Sequence, residues 1–212
     1  MLKNFILNAR KPQGKGGSIM LWTMNFGHSR LIKWGINYLN IKPDDSILDV
    51  GCGGGANISV LLQKTNGNVS GLDYSALCVE KSMKMNEKAI AEKRCEIKEG
   101  SVSEIPYDEN RFDIVTAFET VYFWLDSKDS LTEILRVMKS GGTFFICNEV
   151  VREEGKEPPL KSVVDMLDAK IYSVSDYQNI LSNAGFVDIK VHLSKNKKMI
   201  CVTAQKPCNP KG

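Results

Sequence analysis

The stretch "ILDVGCGGGANI", residues 47–58, places four glycines within five residues, after an apolar run and before a segment able to form a helix. Glycine lets the chain turn sharply and lets a ligand lie against the backbone with no Cβ in the way. Gly51, Gly53 and Ala56 fit the G-x-G-x-x-A turn of dinucleotide sites, and Asp73 stands where an acid would bind the adenosine ribose. The same loop also reads as D-x-G-x-G-x-G, from Asp49 through Gly51 and Gly53 to Gly55. Asp49 separates these readings. A pyrophosphate above the loop would be repelled by its carboxylate, whereas a ligand with a charged amino group and no phosphate would be attracted to it, directly or through water. Short glycine patterns also serve bare strand-to-helix turns, so the surroundings must decide.

Those surroundings alternate. "SILDV" is strand-like and is followed by the helix "ANISVLLQKT". "NVSGLDYS" is a second strand, ending at Asp73, and leads into the long helix "SALCVEKSMKMNEKAIAEK". "CEIKEG" and "RFDIVTAFE" are strands three and four. "SLTEILRVMKSGG" is a helix that Gly141 is expected to cap, and "TFFICNEV" is strand five. Strands and helices at this spacing build a parallel sheet with helices on both faces. The tail differs: after the helix "SVSDYQNILSNAGF", the strands "VDIKVHLS" and "KKMICVTAQK" are joined by "KNK", a connection short enough only for an antiparallel hairpin. The expected fold is α/β: a doubly wound, mostly parallel seven-stranded sheet with a C-terminal antiparallel hairpin. Residues 1–45 read as an N-terminal cover segment and helix. Leu31, Ile32, Trp34, Ile36 and Leu39 form its buried side, with Ser29 as N-cap. Residues 46–212 form the main domain, with 151–172 as an insertion or cap.

In such a sheet, ligands bind beyond the carboxyl ends of the strands at the switch point, where the glycine loop falls. S-adenosylmethionine has an amino-acid end, a sulfonium and an adenosine, and it suits Asp49. Asp73 then takes the ribose, since a carboxylate can accept from two vicinal hydroxyls. The loop resembles motif I of the class I (Rossmann-like) S-adenosylmethionine-dependent methyltransferases. "GLDYS" resembles their second acidic motif, "EGSVSEIPYDENRFDIVTAFE" their adenine loop and fourth strand, and "ILRVMKSGGTFFI" their L-R-V-L-K-P-G-G segment. The resemblance runs from about residue 30 to 206, with four motifs in order. It implies cofactor contacts from Asp49, Gly51, Cys52, Gly53, Asp73, Tyr74, Ser101, Val102 and Phe118. Ser101 is a departure: the family often has an aspartate there, and a neutral hydroxyl bonds the adenine amine more weakly. "MNFGHS", residues 24–29, is similar to a stretch of the ubiquinone and menaquinone C-methyltransferases. That group's "GTGD" is "GGGA" here, so the quinone substrate is not implied.

Methyl transfer from a sulfonium is an in-line displacement, helped by positioning and by exclusion of water. A base is needed only where the acceptor loses a proton. Glu119, after strand four, is a candidate base or a ligand for a substrate amine; a helix cap is the plain alternative. Tyr122 and His28 are further candidates for the acceptor side, and Tyr122, Phe123 and Trp124 either wall an apolar pocket or belong to the core.

Composition narrows the class. A net charge of +3 forces neither a nucleic acid nor an anionic membrane as partner. The N-P-P-[YF] motif of base-amine methylation is absent, with "AFET" in its place, and Lys195, Lys197 and Lys198 read as a solvated turn. The expected partner is a small-molecule substrate, not a nucleic acid, and the oligomeric state is open. None of the six cysteines has C-x-x-C spacing and the two histidines are far apart, so no metal is expected. No segment has the length of a membrane span, and the expected location is the reducing cytoplasm. The competing readings are a nicotinamide oxidoreductase and a cofactor-binding module without catalysis. Against the first, the Tyr38–Lys42 spacing of a short-chain dehydrogenase precedes the loop instead of following it.

Overall fold

Strand alternation gives one seven-stranded sheet in the order β3-β2-β1-β4-β5-β7-β6. The computed structural model describes residues 10, 12–14, 16, 17 and 29–208. In chain order the elements are α1 (Ser29–Gly35), β1 (Ile47–Val50), α2 (Ala56–Leu61), β2 (Val69–Asp73), α3 (Ala76–Met85), α4 (Glu87–Ala91) and β3 (Cys95–Glu99). Then follow β4 (Phe112–Phe118), α5 (Lys128–Val137), β5 (Met138–Asn148), α6 (Lys161–Met166), α7 (Val174–Asn183), β6 (Val187–Leu193) and β7 (Ile200–Gln205). Strands β1 to β5 pair in parallel, and β7 runs antiparallel to both β5 and β6.

Central strands covered on both faces do not alternate between buried and exposed, and β1 and β2 are buried at every position. Alternation along β5 sends Phe144 and Ile146 into one layer and Phe145 and Cys147 into the other. The first layer holds Leu131, Ile134 and Val137 of α5 with Tyr177 and Leu181 of α7. The second holds Leu31 and Ile32 of α1 with Ile58 and Leu61 of α2. The α7 start is secured by a capping box between Ser173 and Asp176.

Two sequence expectations are corrected. The helix foreseen over 75–93 breaks into α3 and α4 at Asn86, whose side-chain amide bonds the carbonyls of Ser82 and Gly55. Gly141 caps no helix: α5 stops at Val137, and Gly141 lies inside β5. Met138 pairs with Phe112 while Thr143 pairs with Ile114, so β5 bulges between them. Pairing of the buried Met138 with β4 outweighs the cap signal.

Phe144→Ala and Phe145→Ala should each lose about 3–5 kcal/mol, because each empties a packed layer on its own face of the sheet. Urea unfolding measures this, and a loss under about 1 kcal/mol for either would contradict the two-layer core.

Candidate active site

Strand order reverses between β1 and β4, and a cavity of about 240 Å³ opens at the carboxyl ends of the parallel strands. Gly51 to Gly54 line it after β1, Asp73 and Tyr74 after β2, Gly100 to Val102 after β3, and Phe118 to Thr120 after β4. The bare backbone at Gly51 has a steric cause. Its φ is +71°, and a Cβ there would lie 2.3 Å from Thr120 Oγ1. The N–H groups of Gly51 and Cys52 both donate to Leu72 O, at 2.7 and 3.0 Å, which ties the loop to the end of β2.

Asp73 organises the cradle. Its Oδ2 accepts from Gly53 N–H and its Oδ1 from Ser75 N–H, each at 2.9 Å, and the side chain lies on the cavity wall. The Tyr74 hydroxyl donates to Arg10 O and the Ser75 hydroxyl to Pro12 O, so the N-terminal segment is fastened beside Asp73. Burial, reinforced by the Asp73 charge, pushes the Tyr74 phenol up to about 12. Ser101 and Val102 line the cavity after β3, with the Ser101 hydroxyl 2.8 Å from that of Ser103. Cys52 also lines it, but burial and the charges of Asp49 and Asp73 raise its thiol well above the ordinary value, so it stays an unreactive thiol.

Asp49 is 0% exposed in the middle of the sheet. Its Oδ1 accepts from Thr116 Oγ1 at 2.7 Å, while its Oδ2 is buried with no hydrogen-bond partner among the described residues. Burial pushes this carboxyl up to about 7, with Thr116 and Asn57 pulling it down and Asp73 adding to the rise. Asp49 is not itself on the cavity wall; Val50, the loop glycines and Asn57 are. Its charge therefore acts across the loop. An orphaned buried carboxylate oxygen behind a glycine cradle fits a ligand that brings positive charge and not a pyrophosphate.

Glu119, Phe123 and Trp124 line the same cavity. Glu119 has a left-handed backbone, φ +58°, rare for a residue with a side chain. Its N–H donates to Cys147 O and Asn148 Oδ1, each at 3.1 Å. Its Oε1 accepts from the Tyr122 hydroxyl at 3.1 Å and from Glu149 N–H. Burial pushes Glu119 up to about 7, and the neighbouring Glu149 charge adds to the rise. Tyr122 does not line the cavity; it holds Glu119 from behind. His28 and the Ser29 side chain lie outside the described residues.

Two residues passed over in the sequence take part. Arg10 lines the cavity, with its guanidinium 3.0 Å from Asp168 and 5.6 Å from the centre of the Phe123 ring. Nothing in a glycine-rich N-terminal segment marks it. Asn86 holds Gly55 O at 3.1 Å and accepts from Ser59 Oγ at 2.7 Å, and a Cβ on Gly55 would lie 2.6 Å from its amide nitrogen. An asparagine inside a run of helix formers was the available signal.

Known proteins agree with this geometry. Residues 48–146 match the model of a methyltransferase domain family. The chain is 26% identical over 150 residues to the sarcosine/dimethylglycine N-methyltransferase of Halorhodospira halochloris, across 70% of this chain and 54% of that protein. It is 27% identical over 180 residues to the uncharacterized methyltransferase YdaC of Bacillus subtilis, across 84% of this chain and 92% of that one. A solved structure of Haemonchus contortus phosphoethanolamine N-methyltransferase 2, with phosphomonomethylethanolamine and S-adenosylhomocysteine, superposes with a TM-score of 0.78 at 17% identity, across 96% of this chain and 60% of that chain. The chain spans about a third to a half of the length of the first curated relatives it matches. Fold, cradle and family match identify residues 48–146 as a class I, S-adenosylmethionine-dependent methyltransferase domain.

Two outcomes follow from the site. Asn86→Ala should weaken S-adenosylhomocysteine binding about tenfold in calorimetry, because Gly55 O loses its donor and the loop loosens. Asp49 binds its proton more tightly folded than unfolded. Its contribution to stability is full below about pH 4 and is lost as pH rises through about 7. Asp49→Asn should therefore stabilise the ligand-free protein by about 1–3 kcal/mol at pH 8 and by little at pH 4. Equal urea midpoints for the two proteins at both pH values would refute this account of Asp49.

Proposed function

We propose that the protein transfers a methyl group from S-adenosylmethionine to a small-molecule acceptor bound beside Glu119, Phe123 and Trp124. The observation that carries this reading is a single cavity whose wall joins the glycine cradle and Asp73 to a half-buried carboxylate and aromatic rings. The cofactor supplies a methyl group on a sulfonium, whose sulfur leaves as a neutral thioether. Asp73 takes the ribose hydroxyls, the backbone of Gly51 to Gly53 lies under the amino-acid end, and Ser101 and Val102 meet the adenine. Phe118 closes the cofactor end of β4, and Asp49 offsets positive charge from behind the loop. Glu119 receives a proton from the acceptor or holds an amine of it, with Tyr122 fixing the carboxylate. Residues 1–45 and 151–172 cover the acceptor side. Arg10 supports this, since its guanidinium reaches Leu167 O at 3.2 Å as well as Asp168, and Lys170 N–H donates to Tyr122 O at 2.8 Å. The named activity of the Halorhodospira relative, on sarcosine and dimethylglycine, is consistent with a small acceptor.

Calorimetric titration with S-adenosylhomocysteine should show micromolar binding to the wild type and at least about tenfold weaker binding to Asp73→Ala, equivalent to about 1.4 kcal/mol. NAD and NADP should not bind. Tight dinucleotide binding instead would overturn the reading, and far-UV circular dichroism checks that the variant is folded.

A further inference from the structure

The acceptor end of the cavity offers a carboxylate that no described cation pairs with. Glu119 has one oxygen held by Tyr122 and Glu149 N–H, while no hydrogen bond to its other oxygen is formed among the described residues. No lysine or arginine among them pairs with it. Arg10 is the one basic side chain on the described wall, and Asp168 and Leu167 O already engage its guanidinium. Phe123 and Trp124 add aromatic rings to the same wall. The backbone of Glu119 is locked in its uncommon conformation by Cys147 O and Asn148 Oδ1, which fixes where the carboxylate can go.

A desolvated carboxylate beside aromatic rings, with no cation of its own, is a receptor for an organic cation. We propose that the acceptor is a small organic amine that enters as its ammonium ion, with Glu119 as counter-ion and proton acceptor. This rests on the methyltransferase reading of the same cavity. The ammonium gives one proton to Glu119, which exposes the nitrogen lone pair. The N–C bond forms as the S–C bond breaks, the sulfur keeps the electron pair, and the positive charge passes to the methylated nitrogen. An alcohol or thiol of the same shape is discriminated against, because it leaves the Glu119 charge desolvated and uncompensated.

Quaternary ammonium ions resemble the methylated product and carry no titrating proton, so any pH dependence of their binding comes from the protein. Choline and benzyltrimethylammonium are titrated into the protein saturated with S-adenosylhomocysteine, with 3,3-dimethylbutanol, the uncharged isostere of choline, as control. Choline should bind at least about tenfold more tightly than its isostere, and Glu119→Gln, which keeps the size of the side chain, should abolish the preference. Affinity for both cations should rise about tenfold from about pH 6 to about pH 8 in the wild type and stay flat in Glu119→Gln. Tyr122, Glu149, Tyr177 and Cys147 surround Glu119, Arg10 lines the same cavity, and Asp49 titrates in the same range behind the loop. All of them remain in the variant, so a slope that persists there belongs to them. Equal binding of choline and its isostere, no cation binding, or a preference untouched by Glu119→Gln would each overturn the amine assignment. Failure of S-adenosylhomocysteine to bind at all would instead remove the methyltransferase reading beneath it.

Discussion

Two neighbouring parallel strands whose continuations leave in different directions create the space on which the site depends. After β1 the chain turns through Gly51 toward α2, and after β4 it turns through Glu119 toward a 3-10 turn at Val121–Phe123. The helices that follow cannot fill the gap between the strand ends, and this is why open sheets of this kind bind ligands at the switch point. The gap is narrow. Thr120, from the β4 side, lies so close to Gly51 that no side chain fits there, so the two halves of the site are in contact through a bare backbone. A rigid sheet below and two loops touching above hold the groups without any one of them being long or flexible.

Electrostatics give the cavity its character. Asp73 and Glu119 lie on its wall and Asp49 directly behind the loop, with Arg10 as the one described cation on the wall. Burial raises Asp49 and Glu119 to about 7, so the ligand-free protein holds both near the point of protonation. Such groups cost stability when ionised and empty, and a cationic ligand removes that cost. The two acids differ in support. Asp73 takes backbone donors that shape the loop, while Glu119 is steadied by Tyr122 and by backbone strain.

Much of the fold was legible because it is written in local terms. Apolar runs of four or five residues, glycines after them and amphipathic helices between them determine a parallel sheet, and a three-residue polar link forces the last two strands antiparallel. The two departures arise where a distant partner outbid a local signal. Asn86 breaks a helix because Gly55 O lies within reach, and Met138 leaves the end of a helix because β4 offers it a buried strand partner. Neither partner is near in sequence.

Within the site the division follows the same physics. The glycine spacing and the acids at 49 and 73 sit at strand ends, so their position follows once the strands are read, and the sequence alone determined the cradle and the kind of ligand it suits. The sequence also marked Glu119 as standing after β4. Tertiary structure decided the rest: that Asp49 is wholly buried with one oxygen unmatched, that Tyr122 supports Glu119 instead of lining the cavity, and that Arg10 reaches it from a segment about 110 residues before Phe123. Those facts depend on burial and on contacts between residues far apart in the chain, and local spacing carries no record of either.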